Sequence, residues 1–498
     1  MARCGTPTGL GHTARALAGA LGAVLAAAGV PAAASASPLE DPTAGGAVFT
    51  GPTAAHASSI FLNPAALGFA RRGLHLHIGG SLRLDSIGVD RRLVDPGTGQ
   101  LLDGPSVSST TWSPGGTMAV YGSVLQDQAV LAAAIHTTTF DRFPSGKDAI
   151  GYHVLGGYVY QGLFSLAGCF RPADWFMFGL GVSIGYAGLE LDLARDTALE
   201  AGGGSERGIE SDCGGSPCGF ENPDARETYH LSTTTGGLGG LFARENLAVS
   251  LGVAVKVKSD WWVTLSVASP PGAIPARDYA LVLEGDAVVE SAPRDGGEVH
   301  HGLAEITYRM PYLVWLGARG TILPGYDLVT SARWQNMSRH DLFDIRLYGG
   351  DLTAAGVPEW YPRYRGMRDV FQATVGLEGQ EVGRTRLGGR LRAETGATTD
   401  RTVSPIQIDG LDLGAGVGVE LRLSQHVVLQ LGYDLSWFPE VTSDDSAFDP
   451  AARVACVDSD YDFDQCGAAR VGRAVPTAAG SYRRLRHASS FALRWDSL

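Results

Sequence analysis

After residue 36 this chain has no run of the roughly 18 apolar residues that a membrane-crossing helix requires. A helical membrane protein is not expected. Charge is sparse: Asp, Glu, Lys and Arg make up 18% of 498 residues, and their balance is acidic, at −13. A chain of that sign is a poor partner for nucleic acid. Signatures of chemistry are missing too. There is no hydrolase elbow, zinc-protease helix motif, phosphate-binding loop or dinucleotide fingerprint. Neither catalytic residues nor a metal or other cofactor are expected. Cysteine is rare, with six in all.

Glycine is plentiful instead. Its 68 residues are roughly twice a usual share of about 7%, and helix formers do not dominate. Fourteen extended segments can be marked from Leu74–Asp90 to Arg484–Asp496, with Thr228–Ala243 and Leu247–Ala268 each read as one strand. Their connections alternate between short and long. Pro172–Asp174, Leu323–Gly325 and Ser424–Gln425 are tight; Asp141–Tyr152, Asp196–Glu227, Asp341–Met367 and Pro439–Arg483 are long. An even strand count with short turns at one rim and long loops at the other is the plan of an all-β, antiparallel outer-membrane barrel. Seven long and six short connections put both termini on the short-turn, periplasmic side.

Alternation decides which face meets lipid. In Asp409–Phe438, Leu411, Leu413, Ala415, Val417, Val419, Leu421 and Leu423 share one face against Gly, Asp, Glu and Arg. A period of two over so long a run fits lipid on one side and water on the other. Soluble sandwich strands also alternate but are usually only about 5–6 residues long. Arg386, Arg390, Arg392 and Glu394 mark a lumen face, since lipid would cost about 2–4 kcal/mol per midplane Arg. Trp175, Trp437, Phe438 and Trp495 stand at strand ends, where an interfacial girdle would lie. The parity of the fifth strand changes near Ala187-Gly188. Either a strand bulge there restores the orientation and opens the wall, or the strand has left the bilayer.

Residues 1–36 read as a secretory signal: Arg3 and Arg15, an apolar Ala16–Val30, then Ala34-Ser35-Ala36. Cys213 with Cys218, and Cys456 with Cys466, share two long loops and would staple each in an oxidising compartment. Cys169 stands alone as a packed thiol. Asp458, Asp460, Asp462 and Asp464 alternate within one loop. Solvated surface charge is the ordinary reading, with shared calcium as the alternative. His300-His301 lacks ligand spacing and reads as a loop end.

Ser37–Gly73 does not alternate, yet is apolar enough to pack, and it precedes the barrel (74–498). Such a segment is placed to fold into the lumen. Asn63 as N-cap and Pro64 at the first helical position would start a short helical turn. The run Ala57–Leu67, of the form Ala-Ser-x-x-aromatic-x-Asn-Pro-Ala-(Gly/Ala)-Leu with Phe61 as its aromatic, resembles the start of the FadL-type transport family. Arg171-Pro172-Ala173-Asp174-Trp175 and the Gly-rich strand after it look similar to that family as well. The resemblance implies a barrel of about 14 strands with an N-terminal hatch (37–73). It also implies a channel for hydrophobic small molecules such as long-chain fatty acids, in contact with outer-membrane lipid. Asn63, Pro64 and Ala65 would form the hatch element, with Phe61 and Leu62 packing beneath a ligand. A structural or adhesive barrel with disulfide-stapled loops is the alternative; a lipid-acting barrel enzyme is a third.

Overall fold

The computed structural model describes residues 48–70, 72–94, 101–125, 127–144, 150, 154–196, 226–235, 246–258, 260–272, 280–290, 297–444 and 478–497. The leader (1–36), both cysteine pairs (Cys213, Cys218, Cys456, Cys466) and the Asp458–Asp464 loop lie outside these residues.

The strands are β1 (Leu74–Val94), β2 (Leu101–Val124), β3 (Ala129–Arg142), β4 (Gly156–Ala173), β5 (Phe176–Asp196), β6 (Arg226–Thr234), β7 (Leu247–Lys258), β8 (Trp261–Ala268), β9 (Ala280–Glu290), β10 (Val299–Arg309), β11 (Leu313–Leu323), β12 (Tyr326–Gln335), β13 (Leu342–Tyr348), β14 (Arg363–Tyr364), β15 (Val370–Gly379), β16 (Thr385–Glu394), β17 (Asp412–Arg422), β18 (Val427–Ser443) and β19 (Gly480–Asp496). Fourteen of them close an antiparallel ring: β1 to β5, then β7, β8, β11, β12 and β15 to β19, with β19 returning to β1. Closure gives each of the fourteen a hydrogen-bonded neighbour on both sides, which is what lets strands cross hydrocarbon. Both ends of the ring lie on the short-turn rim, where His75 pairs with Asp496.

The strand number matches the sequence expectation, but two of its members differ. Leu247–Ala268 is a hairpin, β7 and β8, that turns at Asp260. The described part of Thr228–Ala243 is not a wall strand: β6 pairs through Thr234 with the far end of β5 and with β9. Strands β6, β9, β10, β13 and β14 form a side sheet grown from the long-loop rim.

Side chains follow the pleat. Leu76, Ile78, Leu131, Ile135, Phe178, Leu180, Leu251, Leu316, Val375, Leu391, Leu413 and Leu493 stand exposed on the outside around the ring, the apolar face that a barrel presents to lipid. Trp175, Trp437 and Trp495 are exposed there as the girdle requires. Phe438 is not part of that girdle. With Trp437 outward, its neighbour must point inward, and Phe438 is buried beneath the guanidinium of Arg484 at 4.2 Å.

No bulge is found at Ala187-Gly188. The β4–β5 register runs unbroken from Gly156↔Asp192 to Phe170↔Phe178. What changes is the partner on the other side: β5 pairs with β7 up to Ile184 and with β6 from Gly188. Leu189, Leu191 and Leu193 are buried against the side sheet, with Tyr229, Leu231, Leu283 and Ile306. The parity change therefore marks where β5 exchanges β7 for β6 and gains an apolar core on its inner face.

Candidate functional site in the barrel lumen

Residues 48–70 cross the lumen. Ser59–Leu62 make one helical turn and Pro64–Phe69 a 3-10 helix, both buried for most of their length. Asn63 joins them as the sequence suggested: its Oδ1 accepts from the Ala65 amide at 3.2 Å, and Pro64 takes the first position. Its Nδ2 donates to the Pro52 carbonyl at 2.7 Å, tying the turn to the chain that enters it.

Two pairs of facing glycines seat this segment. Gly179 and Gly252 stand opposite each other on β5 and β7. A Cβ on Gly179 would strike Pro64 and Ala65, and one on Gly252 would strike the Asn63 side chain. Across the lumen, Gly388 and Gly418 pair between β16 and β17 and leave room for Val48 and Phe49. The Phe49 ring lies 4.4 Å beneath the Arg386 guanidinium, which Glu378 holds at 2.6 Å and Glu420 at 2.9 Å.

The five predicted site residues are therefore brought together, with distinct surroundings. Ala65 packs with Ile60 and Leu67 against Tyr121, Val130 and Met177 of the wall. Its carbonyl also accepts from the buried Cys169 thiol at 3.4 Å. Phe61 and Leu62 instead join an apolar cluster on the long-loop side, with Leu163, Met310, Leu313 and Trp315. Burying two such side chains contributes roughly 1.5–3 kcal/mol each. Cys169 is the packed thiol expected from sequence, whereas the glycine seats were not picked out, because small residues in a Gly-rich barrel carry no local mark of what rests on them.

The lumen is not uniformly apolar. On its β1, β3 and β16–β19 side, Asp85 binds Arg83 at 2.7 Å, Arg484 at 2.9 Å and Arg486 at 3.1 Å. Arg392 joins Asp412 at 3.1 Å and Asp434 at 3.3 Å, and Arg333 joins Glu394 at 2.6 Å. Between this network and Phe49–Pro52 is a small cavity of about 70 Å³, with Trp315 on its wall. Beneath the segment, on the short-turn side, lies a wider vestibule of about 550 Å³ lined by Arg319, Glu378, Arg386, Glu420 and Arg494. The segment thus separates an apolar cluster above from a charged vestibule below.

The wall parts between β2 and β3. Strands β2 and β3 pair only from Gly116↔Thr137 to Val124↔Ala129. Beyond that, β2 follows β1 and β3 follows β4, after a register shift between Thr137 and Thr139. Side chains close the parting: Arg83 pairs with Asp141, and the Arg142 guanidinium covers the Trp112 ring at 4.5 Å. His300 and His301 lie on β10, with His300 Nδ1 3.6 Å from Asp351.

No protein-family model and no curated protein matches the chain. Solved structures do. A FadL homologue of Pseudomonas aeruginosa superposes with a TM-score of 0.68 over 93% of this chain and 100% of its own, at 13% identity. The toluene transporter TodX of Pseudomonas putida gives 0.60 over 94% and 98%, at 12% identity. The toluene transporter TbuX of Ralstonia pickettii gives 0.55 over 94% and 99%, at 12% identity. This chain has the FadL-type fold.

Proposed function

We propose that this chain is an outer-membrane channel for hydrophobic small molecules, long-chain fatty acids among them, with residues 37–73 as its hatch. The observation that carries the reading is the position of Asn63–Ala65. The turn stands on the Gly179–Gly252 pair, with the apolar cluster around Phe61 and Leu62 above it and the charged vestibule below. An apolar solute would gain by leaving water for the cluster. It would reach the vestibule only if the hatch moved, and a solute that binds better to one hatch position than the other shifts the balance between them. No covalent step is needed.

The chain carries its own means of testing this. A Cβ on Gly68 would stand 3.0 Å from the Cys169 sulfur, with the end of the flexible Met177 side chain as the group that must give way. Gly68→Cys should therefore form a disulfide with Cys169 under oxidation and fix the hatch to β4. Cells dependent on this channel should then lose most of their uptake of radiolabelled oleate and regain it on reduction. A cross-linked barrel that transports at the uncross-linked rate would refute the hatch.

A further inference from the structure

We infer that the outer face of the side sheet holds a divalent metal site formed by Glu190, Asp192 and His230. Glu190 and Asp192 are two apart on β5, so their side chains share one face. His230 of β6 stands directly opposite Asp192, and its Nδ1 lies 2.5 Å from the Asp192 Oδ1. One ligand atom from each of the three comes within 4.8 Å of the other two. Metal–nitrogen and metal–oxygen bonds of about 2.0–2.2 Å set tetrahedral ligand atoms roughly 3.3–3.5 Å apart. Modest side-chain rotation reaches that arrangement from here. Asp192 and His230 are 32% and 49% exposed, so an ion has access.

The neighbours suit the role. Tyr158 is opposite Glu190 on β4, placed to give the kind of outer contact that orients a metal-binding carboxylate. The Tyr158 ring stacks on Phe140 at 5.6 Å, which fixes the hydroxyl. Glu190 lies four residues beyond Tyr186, about 13 Å along the strand, clear of the lipid-facing band. An imidazole among the donors favours a first-row transition ion such as Zn²⁺ over Ca²⁺ or Mg²⁺, which prefer oxygen alone. The remaining coordination positions open to solvent. In sequence the ligands are invisible, because the loop between Asp196 and Arg226 separates His230 from the carboxylates.

The test is titration of the full-length protein in detergent, its purification tag removed, with ZnCl₂ by calorimetry. One saturable equivalent is expected, undiminished by excess CaCl₂. Asp192→Asn and His230→Ala should abolish it, and Tyr158→Phe should weaken it about tenfold. His301→Ala, two strands from His230 on the same face, should leave it unchanged. Heat-modifiable migration on gels shows that each variant is folded. X-ray absorption at the zinc edge should report oxygen and nitrogen donors with a single imidazole. Absence of a saturable equivalent in the wild type, or retention of it in Asp192→Asn and His230→Ala, would overturn the assignment.

Discussion

Gly179 and Gly252 face each other across the β5–β7 ladder, and the Asn63–Ala65 turn rests directly on the pair. Any side chain at either position must occupy space that the turn now fills. Gly179→Val should therefore lift the segment without disturbing the wall, whose outer face it leaves untouched. The expected result is raised single-channel conductance in planar bilayers and several-fold faster entry of a bulky antibiotic. Gly116→Ala, where a Cβ meets nothing nearer than a carbonyl at 3.7 Å, is the matched control. Unchanged conductance in a folded Gly179→Val barrel would mean that the turn does not obstruct the lumen.

Asn63 supplies both a donor to Pro52 and an acceptor for Ala65. Asn63→Ala removes both and leaves the buried Pro52 carbonyl without this donor. A loss of about 1–2 kcal/mol in local stability follows. Amide exchange of residues 59–69 should accelerate by roughly tenfold, since 1.4 kcal/mol is a factor of ten, while β17 and β18 amides stay protected. Asn63→Asp keeps the cap and loses the donor, so its effect should be smaller.

Part of this was readable in the sequence. Period-two runs longer than a soluble strand needs, and the rhythm of short and long connections, yielded the barrel, its strand number and the side on which both ends lie. Asn63-Pro64 yielded the turn through ordinary capping. Alternation does not say what covers a face, however. The run in β9 (Ala280–Glu290) alternates because its inner side meets a buried core and its outer side meets solvent; lipid has no part in it. Ser259-Asp260 carries neither Gly nor Pro, so the β7–β8 turn left no mark and two strands read as one. The glycine seats were hidden because their partner lies about 115 residues or more away in the chain.

The buried ion pairs predict a cost with a specific rescue. Arg392 is shared by Asp412, Asp434 and Ser436. Arg392→Met leaves two carboxylates short of their cation, which typically costs about 3–5 kcal/mol. The urea midpoint of the barrel in micelles should fall accordingly. Adding Asp412→Asn and Asp434→Asn should recover most of the loss, because the penalty is uncompensated charge rather than lost packing. A midpoint that stays low in the triple variant would point to packing instead.

Asp409 offers a test by pH. It lies in the connection between β16 and β17, outside the wall strands, and burial, with Glu394 adding to it, raises its pKa to about 6. Its Oδ2 accepts from the Ala397 amide at 3.1 Å, and its carbonyl accepts from the Thr398 hydroxyl at 2.7 Å. An unfolded Asp titrates near 3.9, so the folded loop holds the proton more tightly than the unfolded one. The loop is then most stable below about pH 4 and loses stability as pH rises towards 6. Exchange of the Ala397 and Thr398 amides, corrected for intrinsic rates, should speed up across that interval and level off above it. Asp409→Asn cannot ionise and should flatten the dependence at the protected level. If the wild type showed no slope between pH 4 and 6, the proton would not be held at Asp409.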